Sequence, residues 1–242
     1  MAVSIPSSRW RVWHRWLAIL VGLQMVVWSI SGGYMVFFEL SFIHGDHLVR
    51  DTSAPMHHTN EFKSFADVQD LYPDASSIQL TSIWLNQRSE PVYKVNLHHN
   101  SLLLDAQTLE PVKLDSEDIR GIAENIYNLG DQPAERVQWL TENPPTELNP
   151  DLLPVWRVDF DDFGSTSLYF SPDTGDLVTK RHTFWRGFDI MWMMHIMDYE
   201  ERVDIESWLL RSFIILNFVF MITGAVLVFF TIRKPKTAEV GQ

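Results

Sequence analysis

Two stretches of the chain carry no charged residue: 16–38, WLAILVGLQMVVWSISGGYMVFF, and 212–232, SFIILNFVFMITGAVLVFFTI. As helices rising about 1.5 Å per residue, they cover roughly 31–35 Å, enough for a hydrocarbon core of about 30 Å. Only helices and closed barrels satisfy their own backbone in lipid, so transmembrane helices are expected at 16–38 and 208–232. The first run is longer than the ~7–15 apolar residues of a signal peptide, and Phe37-Phe38-Glu39 is no small-residue cleavage site. It reads as a retained anchor.

Basic residues set the expected orientation. Arg9, Arg11 and Arg15 precede the first run, and Arg233, Lys234 and Lys236 follow the second, which places segments 1–15 and 233–242 in the cytoplasm. Residues 39–207 are then exported, to the periplasm if the membrane is a bacterial inner membrane. They hold all but one of the 31 acidic residues of a chain whose net charge is −12, which argues against nucleic acid as a partner. The chain has no cysteine, so thiolate metal sites and cysteine nucleophiles are excluded.

The exported part is written twice. PVYKVNL (91–97) and PVWRVDF (154–160) match in residue class at every position, and their alternation reads as half-buried strand. Asp-Ala-Gln-Thr (105–108) and Pro-Asp-Thr-Gly (172–175) are turn signals downstream of each copy. Upstream, Phe62, Phe65, Val68 and Leu71 recur at helical spacing, as do Ile119, Ile122, Ile126 and Leu129, with Gly130 as a stop. A further strand lies between helix and hairpin, SIQLTSIWL (77–85) and AERVQWL (134–140). The expectation is a membrane-anchored α+β chain, with two units that each lay one helix on a three-stranded antiparallel sheet. The acidic run Asp159, Asp161 and Asp162 reads as a solvated turn.

The opening HRWLAILVGLQMVVWSISGGYMVFFE, the two repeats ending near a D-x-x-T-G turn, and the closing RGFDIMWMMHIMDY resemble the PepSY-domain proteins with associated transmembrane helices. The resemblance covers about 9–232. It implies an outer linker at 39–60, PepSY-like repeats at 61–114 and 115–182, and an amphipathic segment at 183–207 lying along the outer leaflet before the second span. Some relatives are siderophore-iron reductases with b-type haem in the membrane, so the resemblance also implies haem b, with a ferric siderophore or a redox partner as acceptor.

Against that background five residues stand out. His14, between Arg11 and Arg15, is either an axial haem ligand or an interfacial histidine in a basic, aromatic anchor. His44 and His47, at i and i+3, share a face if the first helix continues. His195, set among Met191, Met193, Met194 and Met197, is either a ligand near that pair or packing between domain and lipid. Arg186, or Arg181, is a candidate partner for haem propionates. The adjacent pairs His57-His58 and His98-His99 read as loop residues. Gln24, Ser29, Ser31 and Asn217 should face other helices, and Gly22, Gly32, Gly33 and Gly224 allow close approach, which points to a homodimer or a larger complex.

No nucleophile elbow, phosphate loop or His-Glu-x-x-His motif occurs, so whether the chain is an enzyme stays open. Two readings remain. One is a haem-dependent electron-transfer component serving iron-siderophore reduction; the other is a non-enzymatic binding, regulatory or assembly module held by two helices.

Overall fold

The computed structural model describes residues 7–52, 62–98, 100–200, 202 and 204–232. In chain order the helices are α1 (Ser7–Phe37), α2 (Leu40–Ile43), α3 (Phe65–Leu71), α4 (Ser116–Ile126), α5 (Thr183–Ile196) and α6 (Trp208–Ile232). Strands β1 (Ser77–Leu85), β2 (Arg88–Asn96), β3 (Ser101–Asp105) and β4 (Pro111–Val112) form the first sheet. Strands β5 (Arg136–Leu140), β6 (Val155–Asp159), β7 (Ser167–Phe170) and β8 (Leu177–Arg181) form the second. The chain divides into two compact units: residues 40–186, and a helical unit of residues 1–39 with 187–242.

The chain is α+β, but each sheet has four antiparallel strands rather than three. The additional strands follow the two turns. Asp105 Oδ1 accepts from the amides of Gln107 and Thr108, both at 2.8 Å, and folds the chain back so that Leu103 pairs with Val112. In the second copy Gly175, at φ 66°, lets β8 return along β7. Each segment expected to hold one strand and a turn holds a complete hairpin.

Nor are the two repeats self-contained. On β2 the alternation sends Tyr93 and Val95 toward Val68 of α3, and Val92 to the opposite face, where it joins Ile83, Leu103 and α4. On β6 Val158 faces that same helix, together with Phe160, Leu168 and Phe170. Ile119, Ile122 and Ala123 of α4 thus contribute to one core lined by both sheets. The layers run α3, first sheet, α4, second sheet. Capping boxes start both helices: Ser64 with Asp67, and Asp115 with Asp118. Helix α4 ends four residues before Gly130, because Tyr127 leaves it to bridge Val49 and to stack on Phe160 with centroids 4.0 Å apart.

In this stack the first sheet has a helix on each face, whereas the second has only one. Its far face is covered at one end by Leu140, Leu148, Val155 and Tyr169. At the other end it is polar.

The helical unit is built on α1 and α6, which pack against each other. Both are long and apolar enough to cross a membrane, over Arg9–Phe37 and Trp208–Ile232. Their outward surfaces are apolar and open: Leu23 is 69% exposed, Val36 82% and Ile215 64%. The inward stripe of α1 repeats every three or four residues, as His14, Leu17, Val21, Gln24, Trp28 and Ser31, all at least half-buried. Ser29 lies off this stripe, exposed, and returns its hydroxyl to Met25 O.

Candidate functional site

Both histidines of the helical unit contact the inward stripe of α1 or belong to it. The His14 ring stacks on Phe220 of α6, with centroids 4.7 Å apart and planes 6° from parallel. Its Nδ1 lies 2.9 Å from Thr223 Oγ1. That hydroxyl has one proton and also lies 2.8 Å from Phe220 O, which can only accept; with the proton donated there, the ring is the partner that donates. The Thr223 oxygen is therefore the acceptor and His14 Nδ1–H the donor. In the neutral ring the lone pair then sits on Nε2. Space for the ring comes from Gly224, where an added Cβ would stand 3.2 Å from His14 Cε1.

His195 repeats the arrangement. Its Nδ1 lies 2.9 Å from Ser31 Oγ, and the Ser31 proton is returned to Val27 O at 2.8 Å. His195 Nδ1–H is again the donor, and Nε2 again keeps the lone pair. The backbone is fixed as well: the Trp28 indole N–H donates to His195 O at 2.9 Å. Gly32 lies beside the ring, with a notional Cβ 3.5 Å from Cε1. Beyond it Met197, at φ 56°, ends the helix, and the buried Asp198 accepts from the amides of Glu200 and Asp204. The methionine-rich segment is thus half of a helix whose end is gripped by Trp28 and Ser31.

Among the described residues neither Nε2 has a hydrogen-bond partner. A neutral imidazole, oriented through its other nitrogen and open at Nε2, is the usual state of a metal-ligating histidine. His14 and Ser31 are seventeen positions apart on α1, about 26 Å at helical rise, so His14 and His195 cannot serve one metal centre within a chain. No other histidine lies in residues 1–39 or 187–242. Between the two levels, Gln24 Nε2 is buried and has no hydrogen-bond partner among the described residues.

The remaining candidates lie in the α+β unit. The helical path expected to align His44 with His47 stops at Ile43, and Gly45, at φ 73°, turns the chain into a 3-10 turn. The two rings therefore lack the i, i+3 relation of a continuous helix. His44 is exposed, on a groove also lined by Asp46, Lys180 and Trp185. His47 stacks on Phe42 at 4.7 Å and meets His182 edge-on at 5.5 Å. His182, which sequence reasoning passed over, is buried and donates through Nε2 to Ile43 O at 3.1 Å. Burial holds its pKa below the ordinary value, more strongly than that bond raises it.

Arg186 is fully engaged. Its guanidinium donates to both Glu147 oxygens, at 2.5 and 3.2 Å, to Ser165 O at 2.7 Å and to Ser167 Oγ at 3.1 Å. Arg181 lies 3.9 Å over the Trp185 ring and donates to Glu147 O. The acidic run expected to be a solvated turn is largely internal. Asp159 accepts from Arg136, Arg157 and Ser167, while Asp162 accepts from Tyr127 and Thr166. Only Asp161 is exposed. Desolvation alone would raise the Asp159 and Glu147 carboxyls, but hydrogen bonds from Ser167 and Arg157, and from Arg186 and Tyr169, carry both below the ordinary range. The Tyr169 hydroxyl is raised by burial and by its bond to Glu147.

His98 sits in the loop between β2 and β3, whereas His57, His58 and His99 lie outside the described residues. Among the described residues no group of three or more His, Asp or Glu side chains is arranged to hold a metal ion. No family model, curated protein or solved structure matches the chain.

Proposed function

We propose that the protein is a membrane-anchored electron-transfer component of the PepSY type, in which His14 and His195 would hold b-type haem together with the matching residues of a second copy of the chain. The observation that carries this reading is the shared tautomer lock, in which a back-bonded hydroxyl takes Nδ1–H and leaves Nε2 open. The two rings stand one near each end of α1, and at His14 the close approach to Gly224 makes room for the ring.

The donor set fits the group. Haem iron accepts neutral imidazole nitrogen, and the helix pair offers apolar surroundings with Trp28 and Phe220 beside the rings. Bound there, haem supplies one-electron chemistry at two levels. The chain's own residues do the rest: Thr223 and Ser31 orient the ligands, Trp28 holds the His195 backbone, and Gly224 admits the His14 ring. One histidine per level and about 26 Å between levels require a dimer or a further subunit for bis-histidine sites.

The flanking arginines and lysines support a bacterial inner-membrane setting with both termini cytoplasmic and the α+β unit outside. Ser31 stands six residues before the end of α1, so His195 would lie about 9 Å inside that end of the helix. Electrons would then pass outward to an acceptor such as a ferric siderophore or a redox partner.

The test is the visible spectrum of the full chain purified from membranes of haem-replete cells, oxidised and dithionite-reduced. Soret and α bands are expected, with part of the signal lost in His14→Ala and part in His195→Ala. A colourless wild-type preparation ends the proposal. The second reading, a binding module, is favoured by one observation, the open polar face of the second sheet.

A further inference from the structure

In the stacked repeats the far face of the first sheet is covered by α4, while the equivalent face of the second sheet meets no next repeat. The positions that follow there are Arg157 and Asp159 of β6, matching Lys94 and Asn96 of β2. They open into a cleft of about 460 Å³ whose lining includes Arg136, Arg157, Asp159, Ser167, Glu147 and Arg186.

The cleft has an uneven hydrogen-bond balance. Asp159 is saturated: Oδ1 accepts from Arg157 Nε and Ser167 Oγ, both at 2.7 Å, and Oδ2 accepts from Arg136 Nε and Nη2, at 3.3 and 3.1 Å. Glu147 Oε1 accepts from Tyr169 and Arg186 Nη2, and Oε2 accepts from Arg186 Nε. Ser167 donates to Asp159 and accepts from Arg157 and Arg186. What remains is donor capacity. Among the described residues, Nη1 of Arg136 and Nη1 of Arg157 have no hydrogen-bond partner. Two guanidiniums also share the single charge of Asp159, so this inner cluster carries one positive charge in excess, although Glu135 and Asp161 bring the whole lining to three arginines against four carboxylates.

A group that fills this balance must accept hydrogen bonds from planar guanidinium forks and carry negative charge; a carboxylate does both. The exposed Glu135 and Asp161 at the edge of the cleft disfavour an anion whose charge is concentrated at one point, such as phosphate, relative to a longer acid whose carboxylates lie apart. We propose that the open polar face of the second sheet binds a small organic acid through its carboxylate, held by Arg136 and Arg157. This site uses none of the haem-ligand candidates except Arg186, and it does not rest on the haem reading.

The test is isothermal titration calorimetry on the full chain in detergent micelles, with citrate, inorganic phosphate and putrescine as probes. Citrate is expected to bind once per chain, and at least tenfold more weakly to Arg136→Gln. The Arg136 side chain is 60% exposed, so this variant should fold with an unchanged melting profile, which circular dichroism checks. Arg157→Lys keeps the charge but removes the fork, and it too should bind citrate more weakly. No citrate heat at millimolar concentration, or equal affinity in Arg136→Gln, overturns the proposal. So does phosphate binding as tightly as citrate, which would show a site that reads charge alone, or preferential putrescine binding, which would show that the edge carboxylates dominate.

Discussion

His14 Nδ1 and Thr223 Oγ1, 209 positions apart in the chain, meet at 2.9 Å, and the Thr223 proton is already committed to Phe220 O. Thr223→Val keeps the shape and removes the acceptor. Under the haem reading this frees the tautomer, and haem affinity at that level should fall on the order of 10–100-fold. Haem content per chain, by pyridine haemochrome, measures it. Ser29→Ala, which deletes an exposed hydroxyl bonded only to Met25 O, is the matched control and should change nothing. Haem content that falls in His14→Ala yet stays at the wild-type level in Thr223→Val would remove the orienting role.

Glycines beside the two rings should respond differently. A Cβ at Gly224 stands 3.2 Å from His14 Cε1, inside comfortable van der Waals contact, whereas one at Gly32 stands 3.5 Å from His195 Cε1. Gly224→Ala should push the ring off Phe220 and lower thermal stability in detergent; Gly32→Ala should be close to neutral. A larger loss at Gly32 than at Gly224 would contradict the packing described for α1 and α6.

Glu147 ties Arg186 and Tyr169 to the loop after β5. Glu147→Ala strands both partners and should destabilise the α+β unit by about 1–3 kcal/mol, read from chemical denaturation. Because its folded pKa lies below the ordinary value of 4.5, the charged carboxylate contributes stability above that pH. The contribution fades as the pH falls from there through the folded value. The variant should therefore show a shallower acid slope below about pH 4.5 than the wild type.

His182 gives a second acid slope in a different window. Burial lowers its folded pKa from the ordinary 6.5, with His47 and Arg186 adding smaller repulsions. As pH drops below 6.5 the unfolded chain takes up the proton first, so stability present at neutral pH declines. His182→Gln should flatten the dependence of melting temperature between pH 7.5 and 5.5. Identical slopes in both proteins would place the titrating group elsewhere.

Much of this arrangement is legible in the chain before folding, and what is not has physical reasons. Uncharged runs locate α1 and α6, the two helices long and apolar enough to cross a membrane. The paired PVYKVNL and PVWRVDF locate β2 and β6. Periodicity names the inward face of α4 but not how many surfaces that face serves, so the joint packing on both sheets is invisible. Asp159 looked solvated because its neighbours in sequence are acidic; its partners Arg136, Arg157 and Ser167 come from three different strands. Thr223 gave no signal, since a hydroxyl returned to its own helix is ordinary in an apolar segment. Its second role exists only because α1 brings His14 against it.

The joint core makes one more claim testable. If α4 is packed between the sheets, the two repeats cannot unfold separately. Ile119 is fully buried in the cluster that includes Val92 and Leu103 of the first sheet and Val158 and Leu168 of the second. Ile119→Ala should cost about 2–5 kcal/mol. The loss should appear equally in both halves, as a matching fall in the amide-exchange protection of β2 and β6 measured by hydrogen–deuterium exchange mass spectrometry. Protection lost in β6 alone would mean that the first sheet is held by α3 without help from α4, and that the repeats are separate modules after all.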